Sequence, residues 1–345
     1  MVSQTIAPEL KRFVRLNLSV EHRNTQYRFP TVLMLLLAAS WHASTIHARA
    51  STPDADTVYL RFSYQKLEEM EQGFYRQQKT LLGKLRWDRR RKLFLIVDQT
   101  HDPYFGKKQN RWIHAYKCAK GATGSFEFLT FSLVAPGQWR KVIRSVPVPV
   151  KTDMSAVLAE TAGEIRRATR YTALLLDRGF YEKKYAFALQ NEGIPFLIRA
   201  ELRGSIQKKF RHIKRYRRTL HWQRNGQVPL ALWLGWKWYG NRRYAWGFLT
   251  NIPKISWIQC CLWYQQRWNI ENVFKATDGI QLRTATANIV ARLFAVLLSF
   301  FLYNAWQRQE QRIPLLWFVT AIINALHMQV RDTGPPIVLH IPGWQ

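Results

Sequence analysis

The pattern of apolar and polar positions changes character several times along the chain. Residues 1 to about 90 carry helix-type spacing, mixed but amphipathic over Thr57–Gln78, which predicts a helical amino-terminal region. Leu93-Phe-Leu-Ile-Val97 is a short continuous apolar run that stops at Asp98. That is the profile of a strand buried on both faces with an acid at its carboxyl end. Trp112–Tyr116 and Phe126–Val134 read as two further strands, joined through a glycine-containing turn at Gly121–Ser125. A helix is expected from Asp153 towards Arg170, then a strand over Thr172–Leu176 ending at Asp177. Glu182–Glu192 predicts a helix, Gly193 a break, and Pro195–Ala200 another strand. Strands that alternate with helices pair in parallel, so the expectation is an α/β sheet preceded by an antiparallel meander.

Residues 201 to 254 break that rhythm. A dense basic run is followed by Trp-rich alternating stretches at Leu230–Tyr239 and Arg243–Thr250, which predict an inserted, mostly β subdomain. Helices are expected over Ile255–Lys275, Asn288–Arg308 and Leu315–Val330. The expected organisation is a helical DNA-binding region (1–90) with the basic cluster at 86–92 at its end, a first core part (91–200), the β-rich insertion (201–254), a second core part (255–308), and a carboxyl-terminal helix and tail (309–345). The apolar runs Thr31–Trp41 and Leu293–Tyr303 are too short to span a bilayer and read as core helices, so no membrane is expected as a partner.

The charge balance changes the picture most. Lysine and arginine number 52 against 22 acids, a formal net charge of +30. A field of that sign concentrates polyanions and gains from counterion release on binding them. Fifteen tryptophans and fourteen tyrosines supply stacking surfaces beside the charge, which favours nucleic acid over lipid headgroups. The three cysteines, Cys118, Cys260 and Cys261, offer neither a disulfide framework nor zinc spacing, and a reduced, cytoplasmic compartment is the expectation. His101, His114 and His212 show no paired spacing of a transition-metal site.

Candidate chemistry centres on Tyr264, Arg267, Glu271 and Lys275, which share one narrow stripe at helical periodicity. A carboxylate between bases suits a surface that holds a metal ion and grips phosphate. In a parallel sheet, acids at the carboxyl ends of adjacent strands project into one crevice, so Asp98 and Asp177 are expected to lie together. A divalent cation between them makes such a cluster tolerable. Glu271 on a packed helix would complete an oxygen cage for two Mg²⁺ or Mn²⁺ ions suited to phosphodiester chemistry. The basic residues Lys208, Lys209, Arg211, Lys214, Arg215, Arg217 and Arg218, with Arg178 beside the second acid, are candidate DNA contacts.

These contexts together resemble the DDE transposases of prokaryotic insertion sequences. Val97-Asp98-Gln-Thr100-His-Asp-Pro103-Tyr104-Phe-Gly106 is similar to that family's first-acid motif, and Leu176-Asp177-Arg178-Gly179-Phe180 to its second. Tyr264, Arg267 and Glu271 match three letters of the Tyr-Arg-Glu-Lys signature of one subgroup. The fourth falls on Asp278 instead of lysine, with Lys275 one turn from Glu271 as a substitute.

The resemblance covers about residues 91 to 308. It implies an RNase H-like core with a mixed sheet flanked by helices and a mostly β insertion. It also implies Asp98, Asp177 and Glu271 as catalytic and metal-binding residues, with two Mg²⁺ or Mn²⁺. Tyr264 and Arg267 would hold the transposon-end backbone. Tryptophans such as Trp236, Trp238 or Trp246 are candidates to stack on an extruded base, but the preferred reading is that most of them fill the small core of the β insertion. The implied partners are double-stranded DNA, as transposon ends and target, and a second copy of the chain in a homodimer, within the nucleoid-bearing cytoplasm. Two other readings stay open: an RNase H-like nuclease without strand transfer, and a non-catalytic DNA-binding protein from a decayed element.

Overall fold

The structure, a computed structural model, describes residues 2–17, 35–40, 55–83, 92–202, 215–220, 230–309 and 313–331. Its strands are β1 (Phe94–Tyr104), β2 (Ile113–His114), β3 (Gly124–Ala135), β4 (Trp139–Val148), β5 (Ala173–Leu176), β6 (Phe196–Arg199), β7 (Arg215–Leu220), β8 (Leu230–Tyr239) and β9 (Arg242–Thr250). Its helices are α1 (Val2–Asn17), α2 (Ala55–Ser63), α3 (Leu67–Gly83), α4 (Met154–Ala168), α5 (Lys183–Asn191), α6 (Trp257–Tyr264), α7 (Trp268–Asp278), α8 (Ile289–Trp306) and α9 (Leu315–Arg331). Residues 35–40 are also helical.

The nine strands among the described residues belong to one mixed sheet in the order β2-β3-β1-β5-β6-β9-β8-β7, with β4 also paired to β3. The expected antiparallel meander and the parallel β1-β5-β6 unit are both present. Leu93–Val97 is continuously apolar because both faces of β1 are covered. Leu95 and Val97 pack with α4 and α5, while Phe94 and Ile96 pack towards α6.

Two features go beyond the expectations. First, among the described residues β9 pairs with β6, so the strands expected in the β-rich stretch, β7-β8-β9, prolong the central sheet. Trp257 of α6 packs over that extension at Gly235, where an added Cβ would lie 2.5 Å from the indole. The Trp-rich alternation announced strands but not their neighbour. Second, β4 was not foreseen, because Arg140, Lys141 and Arg144 interrupt its apolar pattern. Each is matched: Arg140 to Tyr303, Lys141 to the Asn304 carbonyl, and Arg144 to Glu71 and Glu164. Buried charge is tolerable when it is paired and hydrogen-bonded in this way.

Helix α8 runs through the middle of the helical layer. It is the one helix among the described residues long and apolar enough to cross a membrane, yet 89% of that stretch is buried inside the protein. Its all-round apolar surface meets α1, α3, α7, α9 and β4. Phe13 stacks on Phe301 and Phe294 at centroid distances of 4.7 and 5.9 Å, which docks the amino-terminal helix on this core. The basic cluster at 86–91, Lys208, Lys209, Arg211 and Lys214 lie outside the described residues. Arg215, Arg217 and Arg218 fall on the edge strand β7.

One buried ion pair joins α8 to β1. Arg292, the largest fully buried side chain, donates to Asp102 Oδ2 at 2.5 Å and to the carbonyls of Pro103, Thr284 and Thr286. Burial raises the Asp102 carboxyl and Arg292 opposes that rise. Arg292→Met strands the acid, and a loss of about 3–5 kcal/mol in urea denaturation is expected. The double variant Asp102→Leu/Arg292→Met should recover most of that loss. A single-variant cost under about 1 kcal/mol would show that the pair does not hold α8.

Candidate active site

The parallel ladder between β1 and β5 pairs Phe94 with Ala173 and ends with Val97 opposite Leu176. Asp98 and Asp177 are the next residues on the two strands, so the register alone brings them to one level of the sheet. Asp98 is not at the end of its strand as expected: β1 continues to Tyr104 along β3. It sits where the parallel partner stops, and its side chain stays 21% exposed. The chain turns at once after Asp177 into a short 3₁₀ segment, Arg178–Phe180, and Asp177 caps it by accepting from the Arg178 N–H at 2.7 Å. Arg178 itself is exposed.

The third acid arrives from the helical layer. The single stripe expected over Tyr264–Lys275 is realised across a break, because α6 ends at Tyr264, a 3₁₀ turn covers Gln265–Arg267, and α7 begins at Trp268. A 3₁₀ turn has three residues per turn, so Tyr264 and Arg267 eclipse. The α-helical step of four then adds Glu271 on the same side. Trp246 and Phe248 pack on the Tyr264 ring at 5.8 and 5.3 Å and hold it buried.

Arg267 is the centre of the arrangement. Its Nη1 lies 3.3 Å from Asp98 Oδ2 and 3.9 Å from Asp177 Oδ2, and its Nη2 donates to Glu271 Oε1. The Tyr264 hydroxyl donates to Asp177 Oδ1 at 3.1 Å. Both residues expected to face a DNA backbone are thus turned inward onto the acids. Lys275 is exposed one turn further along α7, and Asp278, at the position of the signature lysine, accepts from Arg283 at 2.6 Å.

Three carboxylates against one guanidinium leave two formal negative charges in a chain that is otherwise strongly basic. Burial pushes the Asp98 carboxyl up from 3.8 to about 6, against the opposing pull of Arg267 and the Gln99 N–H, while Asp177 and Glu271 add to the rise. Burial also raises the Tyr264 phenol, and the Asp177 charge adds to it. Burial works against the Arg267 cation, yet Tyr264 and the three acids outweigh it and raise its pKa. Its Nε is buried without a hydrogen-bond partner. As placed, the acids are spread around the guanidinium, and among the described residues no three His, Cys, Asp or Glu side chains are close enough to hold an ion. The donor chemistry nevertheless fits a hard divalent cation: three carboxylates, partly open to solvent, with surplus negative charge.

Residues 89–304 match the transposase DDE domain family. The match spans more than half of the chain, and the protein belongs to that family. A solved piggyBac transposase, in a cryo-EM synaptic complex with hairpin DNA, has a similar fold at a TM-score of 0.58. That similarity covers 99% of this chain and 85% of that one at 10% identity, so it concerns the fold. No curated protein matches the chain in sequence.

The raised Asp98 pKa has a definite sign. A carboxyl that binds its proton more tightly when folded stabilises the protein below its unfolded value, 3.8, and that contribution is lost as pH rises through about 6. Metal-free protein should therefore lose up to about 3 kcal/mol of stability from this group between pH 4 and 7. Asp98→Asn should be the more stable form at pH 8 in urea titrations with chelator. A less stable variant there would contradict the assignment.

Proposed function

We propose that the protein is a DNA transposase that hydrolyses phosphodiesters at element ends and joins the freed 3′-hydroxyl to target DNA. The observation that carries this reading is the convergence of Asp98, Asp177 and Glu271 on Arg267, from β1, from the end of β5 and from α7. Asp98, Asp177 and Glu271 would hold two Mg²⁺ or Mn²⁺ ions. Such ions, when bound, lower the pKa of an attacking oxygen and stabilise the leaving one.

The chain's own residues do the rest. With the acids engaged elsewhere, Arg267 and Tyr264 become donors for the scissile phosphate, a planar fork and a hydroxyl aimed from one side. Lys275 adds a point charge from the next turn of α7. The tip of the β8-β9 hairpin supports base contact: Trp238 is 60% exposed, and a chain of rings runs from Tyr239 through Trp246 to Tyr264, at 6.0 and 5.8 Å. Arg243 stacks on Trp236 at 4.7 Å. Stacking there on an extruded base would place the adjoining backbone near the acids. Arg178 and the basic residues 208–218 would track the remaining backbone, and a second copy would hold the second end. The setting is the cytoplasm that holds the DNA.

The direct test is cleavage of DNA bearing the element's flanking repeats in Mg²⁺ or Mn²⁺. Asp98→Ala, Asp177→Ala and Glu271→Ala should each lower the rate by more than about 10³-fold, with DNA binding retained. Salt-sensitive binding without cleavage by the unaltered protein would instead establish a non-catalytic DNA-binding role.

A further inference from the structure

Three side chains with no part in the carboxylate crevice meet on the opposite face of the same strands. His101 lies three residues beyond Asp98 on β1, and strand alternation directs it to the other side of the sheet. Its register partner on β3 is Glu127, and β2 brings His114 alongside. Both imidazoles present Nδ1 to one carboxylate oxygen, Glu127 Oε1, at 3.8 Å from His101 and 3.4 Å from His114. A tetrahedral ion with nitrogen and oxygen ligands at about 2.0–2.2 Å keeps those ligands about 3.3–3.5 Å apart.

The atoms behind these donors are already tied. His114 Nε2 donates to the Val148 carbonyl at 2.8 Å, and Gln99 Nε2 donates to Glu127 Oε2 at 2.8 Å. Outer hydrogen bonds of this kind orient metal ligands. With Nε2 as the donor, a neutral His114 turns a lone pair towards a carboxylate unless a cation lies between them. A proton on that nitrogen satisfies His114 alone, whereas His101 Nδ1 is buried and has no hydrogen-bond partner.

We propose that His101, His114 and Glu127 form a second metal site, for a divalent transition-metal ion of the Zn²⁺ class. Two imidazoles and one carboxylate select such an ion over Mg²⁺, and water takes the fourth corner. The donors do not close on one point as placed. His101, at 3.8 Å from Glu127 Oε1, must move inward to ligate, and its ring borders Tyr116, which is 59% exposed. The ion would pin β2, whose ladder with β3 is only two residues long, and residues 105–123 to the strand that carries Asp98.

The test is a Co²⁺ titration of full-length, chelator-stripped protein, with excess Mg²⁺ present to occupy the carboxylate crevice. Expected is saturation near one equivalent with the intense visible absorption of tetrahedral Co²⁺, displaced by Zn²⁺. His114→Ala and Glu127→Gln should weaken binding by more than about 100-fold, while Asp98→Asn leaves it unchanged. The unaltered protein decides the matter even if a variant fails to fold. No saturable tetrahedral spectrum overturns the proposal, as does undiminished binding in folded His114→Ala or loss of the spectrum in Asp98→Asn. None of these outcomes bears on DNA cleavage at the other face.

Discussion

The guanidinium of Arg267 is the counter-charge that lets three carboxylates share one crevice. Like charges held this close repel, and burial makes the repulsion stronger. One cation placed among Asp98, Asp177 and Glu271 relieves part of it. Burial, with smaller contributions from Asp177 and Glu271, still holds the Asp98 carboxyl above its ordinary range despite the pull of Arg267. The site is therefore held by a placeholder of too little charge, which a divalent cation can improve upon and a single arginine cannot. Under the proposed function, release of Arg267 from the acids would supply a positive fork for a phosphate, so that one residue would link the metal-free state to substrate binding.

The rest of the molecule serves that arrangement. The β1-β5 ladder sets the level of the two aspartates, with Leu95 and Val97 buried on one face of β1 and Phe94 and Ile96 on the other. The β6-β9 junction fixes Trp246 and Phe248, which hold Tyr264 and with it the entry to the 3₁₀ turn that carries Arg267. On the far side, α8 presses α7 and β4 together, and the Arg292–Asp102 pair ties α8 to β1 just beyond Asp98. The 3₁₀ turn sets Tyr264 and Arg267 on one side, and the α-helical step of four brings Glu271 to it.

Much of this was legible in the sequence, for identifiable reasons. The apolar runs leading into Asp98 and Asp177 read as buried strands and pair in parallel as expected, although only Asp177 lies at the end of its strand, since β1 continues to Tyr104. The match of residues 89–304 to the transposase DDE domain agrees with the resemblance carried by those motifs. β4 was not legible, because its lysine and arginines find partners only in three dimensions: Glu71 lies 73 positions away and Asn304 lies 163 away. The inward turn of Tyr264 and Arg267 was hidden for the same reason, since spacing gives a face but not what the face meets. The His101–His114–Glu127 cluster draws on three strands and has no local motif at all.

The most direct measurement is Mn²⁺ affinity in the absence of DNA, compared between the unaltered protein and Arg267→Met. Removing the internal cation exposes all three carboxylates to the ion, so tighter Mn²⁺ binding is expected in the variant, and Glu271→Gln in the same background should abolish the gain. Binding that is equal or weaker in folded Arg267→Met would mean that the guanidinium does not stand where the metal charge belongs.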